Sequence, residues 1–434
     1  MTTVLKQLKP AFRIASVATT NNGVQIVWKD GHESFYHNLW LLDSCRSPKF
    51  FQRDTLSLNS GHDVLKMPLN PTPEEVKLDG EGNLDIIWGG DQTGHQSVFD
   101  ASWLRVHCQN DQALKQRRKP QLWDSSVSVS HFDCDEVMND DGVLLSFLNQ
   151  IVDMGVAIID DAPKNEESFR ALIERVGPLR QRYHPTNVFT MDRSNKKAQA
   201  IQHSYQVGTL RNHTDVTAYD IPTGLQFFEC TLYENPDGDR QAYSTVVDGF
   251  KLAEVIKAEN PWFYELLTTE YIPAGRKRLS VEEKLGEHES SARKYEWDAY
   301  RRNHVIELDE NGDPYQIRYN HNTRIPLEVA FDKIHDLLAA YKRFSQLLQD
   351  PKYNAEFLLT PGKVLVVDNW RVLHGRTGIW NPELQRILLG AYVEEETFRC
   401  RRRILLGDKT GMPDLWLMGC SDRALEILAD RYYY

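Results

Sequence analysis

The sequence predicts a mainly β protein with flanking helices: a jelly-roll or cupin-type β-barrel, preceded by a small N-terminal β domain. Three observations carry that expectation. From about residue 200 the chain runs through short segments rich in β-branched and aromatic residues, at 223–230 (TGLQFFEC), 244–250 (STVVDGF), 315–320 (YQIRYN), 363–369 (KVLVVDN) and 386–393 (RILLGAYV). That composition fits a pleated, half-buried surface. Long insertions separate these segments, two of them helical in pattern, at 249–258 and 331–348, as in a barrel with metal or ligand sites inside its mouth. The first 115 residues read instead as short strands joined by turns.

Taken in order, residues 24–35 alternate apolar and polar side chains around Asp30-Gly31, a hairpin signature. Residues 78–99 form a second hairpin pattern, with a polar turn before Leu84–Trp88. Trp40 and Trp103 sit in apolar stretches suited to packing this β unit. Residues 109–125 are polar and contain Pro120, a linker composition, which divides the chain into domains 1–115 and 116–434. The second domain opens with Leu144, Leu145, Phe147, Leu148, Ile151, Val152 and Met154 at helical spacing, then a buried strand at 155–159 and an amphipathic helix at 168–176.

Composition excludes several functions. Hydrophobic residues make up 41% and charged residues 26% of the 434 residues, an ordinary globular balance. The net charge of −11 repels phosphate backbones, so nucleic acid is not an expected partner. No apolar run is long enough to span a membrane, and the N-terminus lacks a secretory apolar core. Residues 1–29 lack acids and carry Lys6, Lys9, Arg13 and Lys29, a faint transit-peptide composition, but Ile14 to Trp28 already reads as folded strand. The six cysteines are scattered without a CxxC pair, which points to reduced thiols and a cytoplasmic location, with a mitochondrial one as the alternative.

The chemistry centres on Asn212-His213-Thr214-Asp215. On a strand, residues i and i+2 share a face, so His213 and Asp215 are candidate ligands of one metal. His374, in DNWRVLHGR (368–376), follows a hydrophobic strand and is the third candidate. Two histidines and one carboxylate fill one face of an octahedron and leave the other open for a bidentate co-substrate and dioxygen, the facial triad of non-haem iron(II) oxygenases; zinc favours a closed tetrahedral set, often with Cys. HxD alone is a common pattern. Arg386, twelve residues after His374 at the start of an apolar strand, adds a rigid bidentate fork suited to the distal carboxylate of 2-oxoglutarate.

HTD, VVDGF (246–250), IRYN (317–320), DNWRVLHGR (368–376) and RILLGAY (386–392) together resemble the γ-butyrobetaine and trimethyllysine dioxygenases of carnitine biosynthesis, in order and spacing over residues 20–405. The resemblance implies a double-stranded β-helix with a small N-terminal domain, a homodimer, and the use of Fe(II), 2-oxoglutarate and ascorbate. It implies that His213, Asp215 and His374 bind iron and that Arg386 binds 2-oxoglutarate. Gln202 matches a polar position lining the site. Tyr183, Tyr205 and Tyr392 match aromatic positions around a trimethylammonium group, which cannot donate hydrogen bonds and is recognised by aromatic faces. Asn320 and Asn322 match contacts to ligand carboxylates.

The chain also departs from the family pattern. Asn187 stands where the aromatic cage usually carries a Trp, and Val216 where γ-butyrobetaine enzymes often carry a Tyr. In the N-terminal domain, relatives bind zinc through a C-x-C-x-x-C cluster and a distant His. Here Cys45 and His95 remain while Ser47 and Phe50 replace the other ligands, so no structural zinc is expected. The leading substrate is γ-butyrobetaine. Trimethyllysine, or another small cationic or zwitterionic molecule taken by a diverged paralogue, are the alternatives. A non-catalytic binding protein and a cupin-like metalloenzyme that does not use 2-oxoglutarate are readings from other classes.

Overall fold

The computed structural model describes residues 12–108, 110, 119–180, 187–192, 208–236, 238, 241–277, 298–379, 381 and 383–431. The chain forms two compact units, one of residues 1–119 and 403–434 and one of residues 120–402. Residues 403–434, which the sequence reading left with the catalytic domain, group with the N-terminal unit.

The first unit is built of small antiparallel sheets. Strands β1 (Ile14–Thr19), β2 (Gly23–Trp28) and β3 (Glu33–His37) form one sheet, and β4 (Phe51–Gln52) pairs with β5 (Ser57–Leu58). A third sheet holds β6 (Pro73–Leu78), β7 (Leu84–Trp88) and β8 (Gln96–Phe99). Both expected hairpins are present, the first turning at Gly31, which has φ +84°. Trp28 and Trp88 are fully buried, and each donates its indole N–H to a serine hydroxyl, Ser34 and Ser97, at 2.8 Å. Buried indoles need such a partner. Trp40 and Trp103 stack at 5.5 Å.

The second unit carries the jelly roll. Its strands are β9 (His131–Asp133), β10 (Val156–Asp160), β11 (Val188–Asp192), β12 (Leu210–His213), β13 (Leu225–Glu234), β14 (Ser244–Asp248), β15 (Ile272–Lys277), β16 (Asp298–Asn303), β17 (Ile306–Leu308), β18 (Pro314–Ile317), β19 (Ala355–Phe357), β20 (Val364–Asp368), β21 (Val372–Arg376) and β22 (Gln385–Val393). The major sheet has the order β11-β22-β13-β20-β10-β9 and the minor sheet β12-β21-β14-β19. Phe228 of β13, Leu365 of β20, Val246 of β14 and Val372 of β21 share one buried cluster, so the two sheets pack face to face. Alternation along β21 then sends Val372 and His374 inward, while Leu373 joins a second cluster under the helix Ile334–Leu347.

Most expected strands and helices lie where the composition placed them. The 331–348 stretch splits into a 3-10 turn, Phe331–Lys333, and the helix Ile334–Leu347. The linker reading fails over its last residues: Trp123 is buried and donates its indole N–H to Met154 O at 2.6 Å, so the chain is already packed there. Residue 109 and residues 111–118 of that stretch lie outside the described residues.

Candidate metal centre

His213 ends β12 and stands directly across the ladder from His374 of β21. Their rings lie 4.7 Å apart. Asp215 lies beyond the strand, so strand alternation is not what brings it to His213. The irregular backbone after β12 does so, and the next residue, Val216, is held at φ +60°, a conformation rare for a β-branched residue. His213 Nε2 is 3.4 Å from Asp215 Oδ1, and His374 Nε2 is 3.9 Å from Asp215 Oδ2. One ligand atom from each of the three residues lies within 4.8 Å of the others, and no other such group of three occurs among the described residues.

The surroundings orient each group. His213 Nδ1 lies 2.8 Å from the Arg211 carbonyl, which fixes the tautomer and leaves Nε2 toward Asp215. Burial pushes the His213 pKa down, but the hydrogen bond and charge of Asp215 outweigh it and the net shift is upward. His374 is pushed down to about 3, by burial and then by His213, so its imidazole is neutral and its lone pair available. The buried His374 Nδ1 has no partner among the described residues. Asp215 Oδ2 accepts from Tyr392 Oη at 2.5 Å and from Gln226 Nε2 at 2.9 Å. Gln226 and Tyr392 lie on the major sheet, so the centre joins the two sheets. Two imidazoles that turn Nε2 toward one carboxylate fit a mononuclear divalent cation of the iron type.

Arg386 opens β22 and is buried, 7% exposed. Its Nη2 donates to Ser244 Oγ at 2.8 Å, while Nε has no partner. Burial lowers its pKa, against the opposing pull of Cys230 and Tyr233. No carboxylate pairs with it among the described residues. A buried guanidinium left in that state is costly unless an anion completes it.

The other site residues read from the sequence divide. Tyr183, Gln202 and Tyr205 lie outside the described residues. Tyr392 is buried with its ring stacked on Phe189 at 5.4 Å and its hydroxyl on Asp215. Asn320 donates to Thr214 O at 3.2 Å and caps the 3-10 turn at Asn322 N, while Asn322 is exposed. Two contributors carried no assigned role in the sequence reading. Gln226 is the polar residue inside the apolar run TGLQFFEC, and that interruption is its signal. Asn369 lies within DNWRVLHGR, but nothing in the motif says which group it bonds.

In the N-terminal unit, Cys45 Sγ and His95 Nε2 do meet, at 3.4 Å. Ser47 approaches only through its backbone N–H, 3.4 Å from Cys45 Sγ. The Phe50 ring packs 4.5 Å from the imidazole of His95. Two donors beside an aromatic ring do not make a tetrahedral site.

A jelly roll whose sheets are joined by a His-Asp-His cluster is the frame of a mononuclear oxygenase. Residues 116–392 match the model of the family described as taurine catabolism dioxygenase TauD, TfdA family, and residues 15–93 match gamma-butyrobetaine hydroxylase-like, N-terminal. The chain belongs to the TauD, TfdA family and is an enzyme, a dioxygenase. It is 28% identical over 399 residues to gamma-butyrobetaine dioxygenase of Pseudomonas sp. (strain AK-1), covering 90% of this chain and 96% of that protein. The human gamma-butyrobetaine dioxygenase is 26% identical, with 88% and 94% coverage. The human mitochondrial trimethyllysine dioxygenase is 27% identical, with 89% of each chain covered.

Proposed function

We propose that this protein is an Fe(II)- and 2-oxoglutarate-dependent hydroxylase of a small trimethylammonium carboxylic acid, γ-butyrobetaine first, in carnitine biosynthesis. The observation that carries the chemistry is the occurrence, in one jelly roll, of the His213–Asp215–His374 cluster and a buried Arg386 that has no carboxylate partner among the described residues. Relatives named for both γ-butyrobetaine and trimethyllysine support the substrate class. Trimethyllysine is the second reading.

His213, Asp215 and His374 would hold the iron. When bound, iron supplies the oxidising chemistry that couples decarboxylation of 2-oxoglutarate to succinate with hydroxylation of a C–H bond. Arg386 grips the far carboxylate of 2-oxoglutarate through its fork, aided by the Ser244 hydroxyl. Tyr392 and Gln226 hold Oδ2 of Asp215, so Oδ1 is the oxygen presented beside His213. Phe228, whose ring lies 5.2 Å from that of His374, keeps water from the imidazole face. Ascorbate dependence and a homodimer belong to the same reading. Six cysteines without a disulfide suit a reducing compartment, and no helix among the described residues is long and apolar enough to cross a membrane.

The test is succinate production by the iron-loaded protein against γ-butyrobetaine, trimethyllysine and related betaines. Turnover of γ-butyrobetaine is expected, and it should vanish in His213→Ala. Iron-dependent succinate formation without turnover of any of these would leave the oxygenase and remove the carnitine assignment.

A further inference from the structure

We propose that Asn369 is a positioning residue that clamps the backbone of Asp215 and so holds its carboxylate toward the two histidines. The inference rests on the metal reading above. Asn369 is buried, 1% exposed, in the turn between β20 and β21. Its amide oxygen accepts the Asp215 N–H at 2.7 Å, and its amide nitrogen donates to Asp215 O at 3.1 Å. The same nitrogen reaches Thr223 O and Thr223 Oγ1, each at 3.0 Å. A side-chain amide carries the donor and acceptor of a peptide group. Asn369 therefore acts at Asp215 as a neighbouring strand would, two residues past the point where β12 ends.

That place needs holding. Val216 follows Asp215 at φ +60°, and a β-branched residue persists there only where its surroundings over-determine it. The flanks of the turn are stitched as well: Thr214 N donates to Tyr319 O at 2.7 Å, and Asn303 Nδ2 to Thr217 O at 2.8 Å. Asn369 bonds the backbone of the ligand residue itself. Its base is rigid. Its own N–H donates to Gly224 O at 2.8 Å, and two residues on Arg371 grips both oxygens of Asp248 at 3.0 and 2.8 Å. Asp215 thus sits between a paired strand and a strained left-handed residue, and the amide of Asn369 fixes its backbone against reorientation there.

The experiment measures Mn(II) binding to the full-length apoprotein by calorimetry, with melting temperature recorded separately. Asn369→Ala should weaken Mn(II) by ~10- to 100-fold, the usual cost of losing a partner that orients a ligand. In a Val216→Gly background, where the left-handed turn carries no side-chain penalty, the same substitution should cost ~3-fold less or better. Should Asn369→Ala fail to fold, the isosteric Asn369→Asp, which turns an oxygen toward Asp215 O, carries the same expectation. Val216→Gly with the clamp intact should bind Mn(II) as the native chain does. A folded Asn369 variant that binds Mn(II) within ~2-fold of the native chain, or an equal loss in both backgrounds, overturns the proposal while leaving the metal reading in place. A native chain that takes up no Mn(II), or a His213→Ala chain that takes it up equally, removes the metal reading and this inference with it.

Discussion

Tyr392 donates its hydroxyl to Oδ2 of Asp215 at 2.5 Å, and this bond, made across from the major sheet, decides which carboxylate oxygen is left beside His213. The resemblance had made Tyr392 part of an aromatic cage. Its hydroxyl, in addition, bonds a candidate ligand residue.

Tyr392→Phe separates the two roles. Loss of a hydrogen bond to a charged group costs about 1.5–3 kcal/mol, so Mn(II) affinity should fall by about 10-fold or more. A tyrosine acting only through its ring would leave metal affinity unchanged and raise KM for the trimethylammonium substrate. Calorimetry with Mn(II) beside steady-state kinetics distinguishes them.

Arg386→Met should raise KM for 2-oxoglutarate by roughly 100-fold, because two charge-assisted hydrogen bonds are lost. The same substitution removes a buried cation that has no carboxylate among the described residues, so the apoprotein should melt no lower, and by the logic of uncompensated buried charge somewhat higher. Unchanged 2-oxoglutarate affinity would remove Arg386 from the site.

Glu229 gives a pH dependence. It lies on β13 between Phe228 and Cys230, fully buried, with neither carboxylate oxygen partnered among the described residues. Burial pushes its pKa from 4.5 up to about 8. The folded state therefore holds a proton that the unfolded state releases, and below pH 4.5 Glu229 carries no ionisation penalty. Stability falls as pH rises from there to about 8, by up to about 1.4 kcal/mol per unit. Glu229→Gln should flatten melting temperature against pH over that window. Identical slopes in the two proteins would show that Glu229 is solvated in the folded state.

Metal analysis of the purified protein should find no structural zinc. Cys45 and His95 are adjacent, but the Phe50 ring packs against the His95 imidazole and Ser47 offers only its backbone N–H, so two of the four ligands are wanting. One zinc per chain in addition to iron would contradict this.

Much of the site was legible because its residue types are chemically distinctive. His213, Asp215, His374 and Arg386 stand out in sequence, as does an apolar strand interrupted by Gln226. The geometry behind them was not. Alternation on a strand was the sequence argument for pairing His213 with Asp215, yet the strand ends at His213, and Asp215 lies in irregular backbone just before a left-handed Val216. Backbone sign at a single non-glycine residue leaves no trace in composition.

The sequence by itself determined the chemistry that this chain can support: strand-forming runs, three side chains able to ligate a metal, one arginine at the start of an apolar strand and a negative net charge. Only the tertiary structure decided how the ligands are held. Asn369 and Tyr392 reach Asp215 from positions 154 and 177 residues away, and such contacts exist only once β12, β20, β21 and β22 are paired. Ligand identity is a property of the residue; ligand orientation is a property of the sheets that close around it.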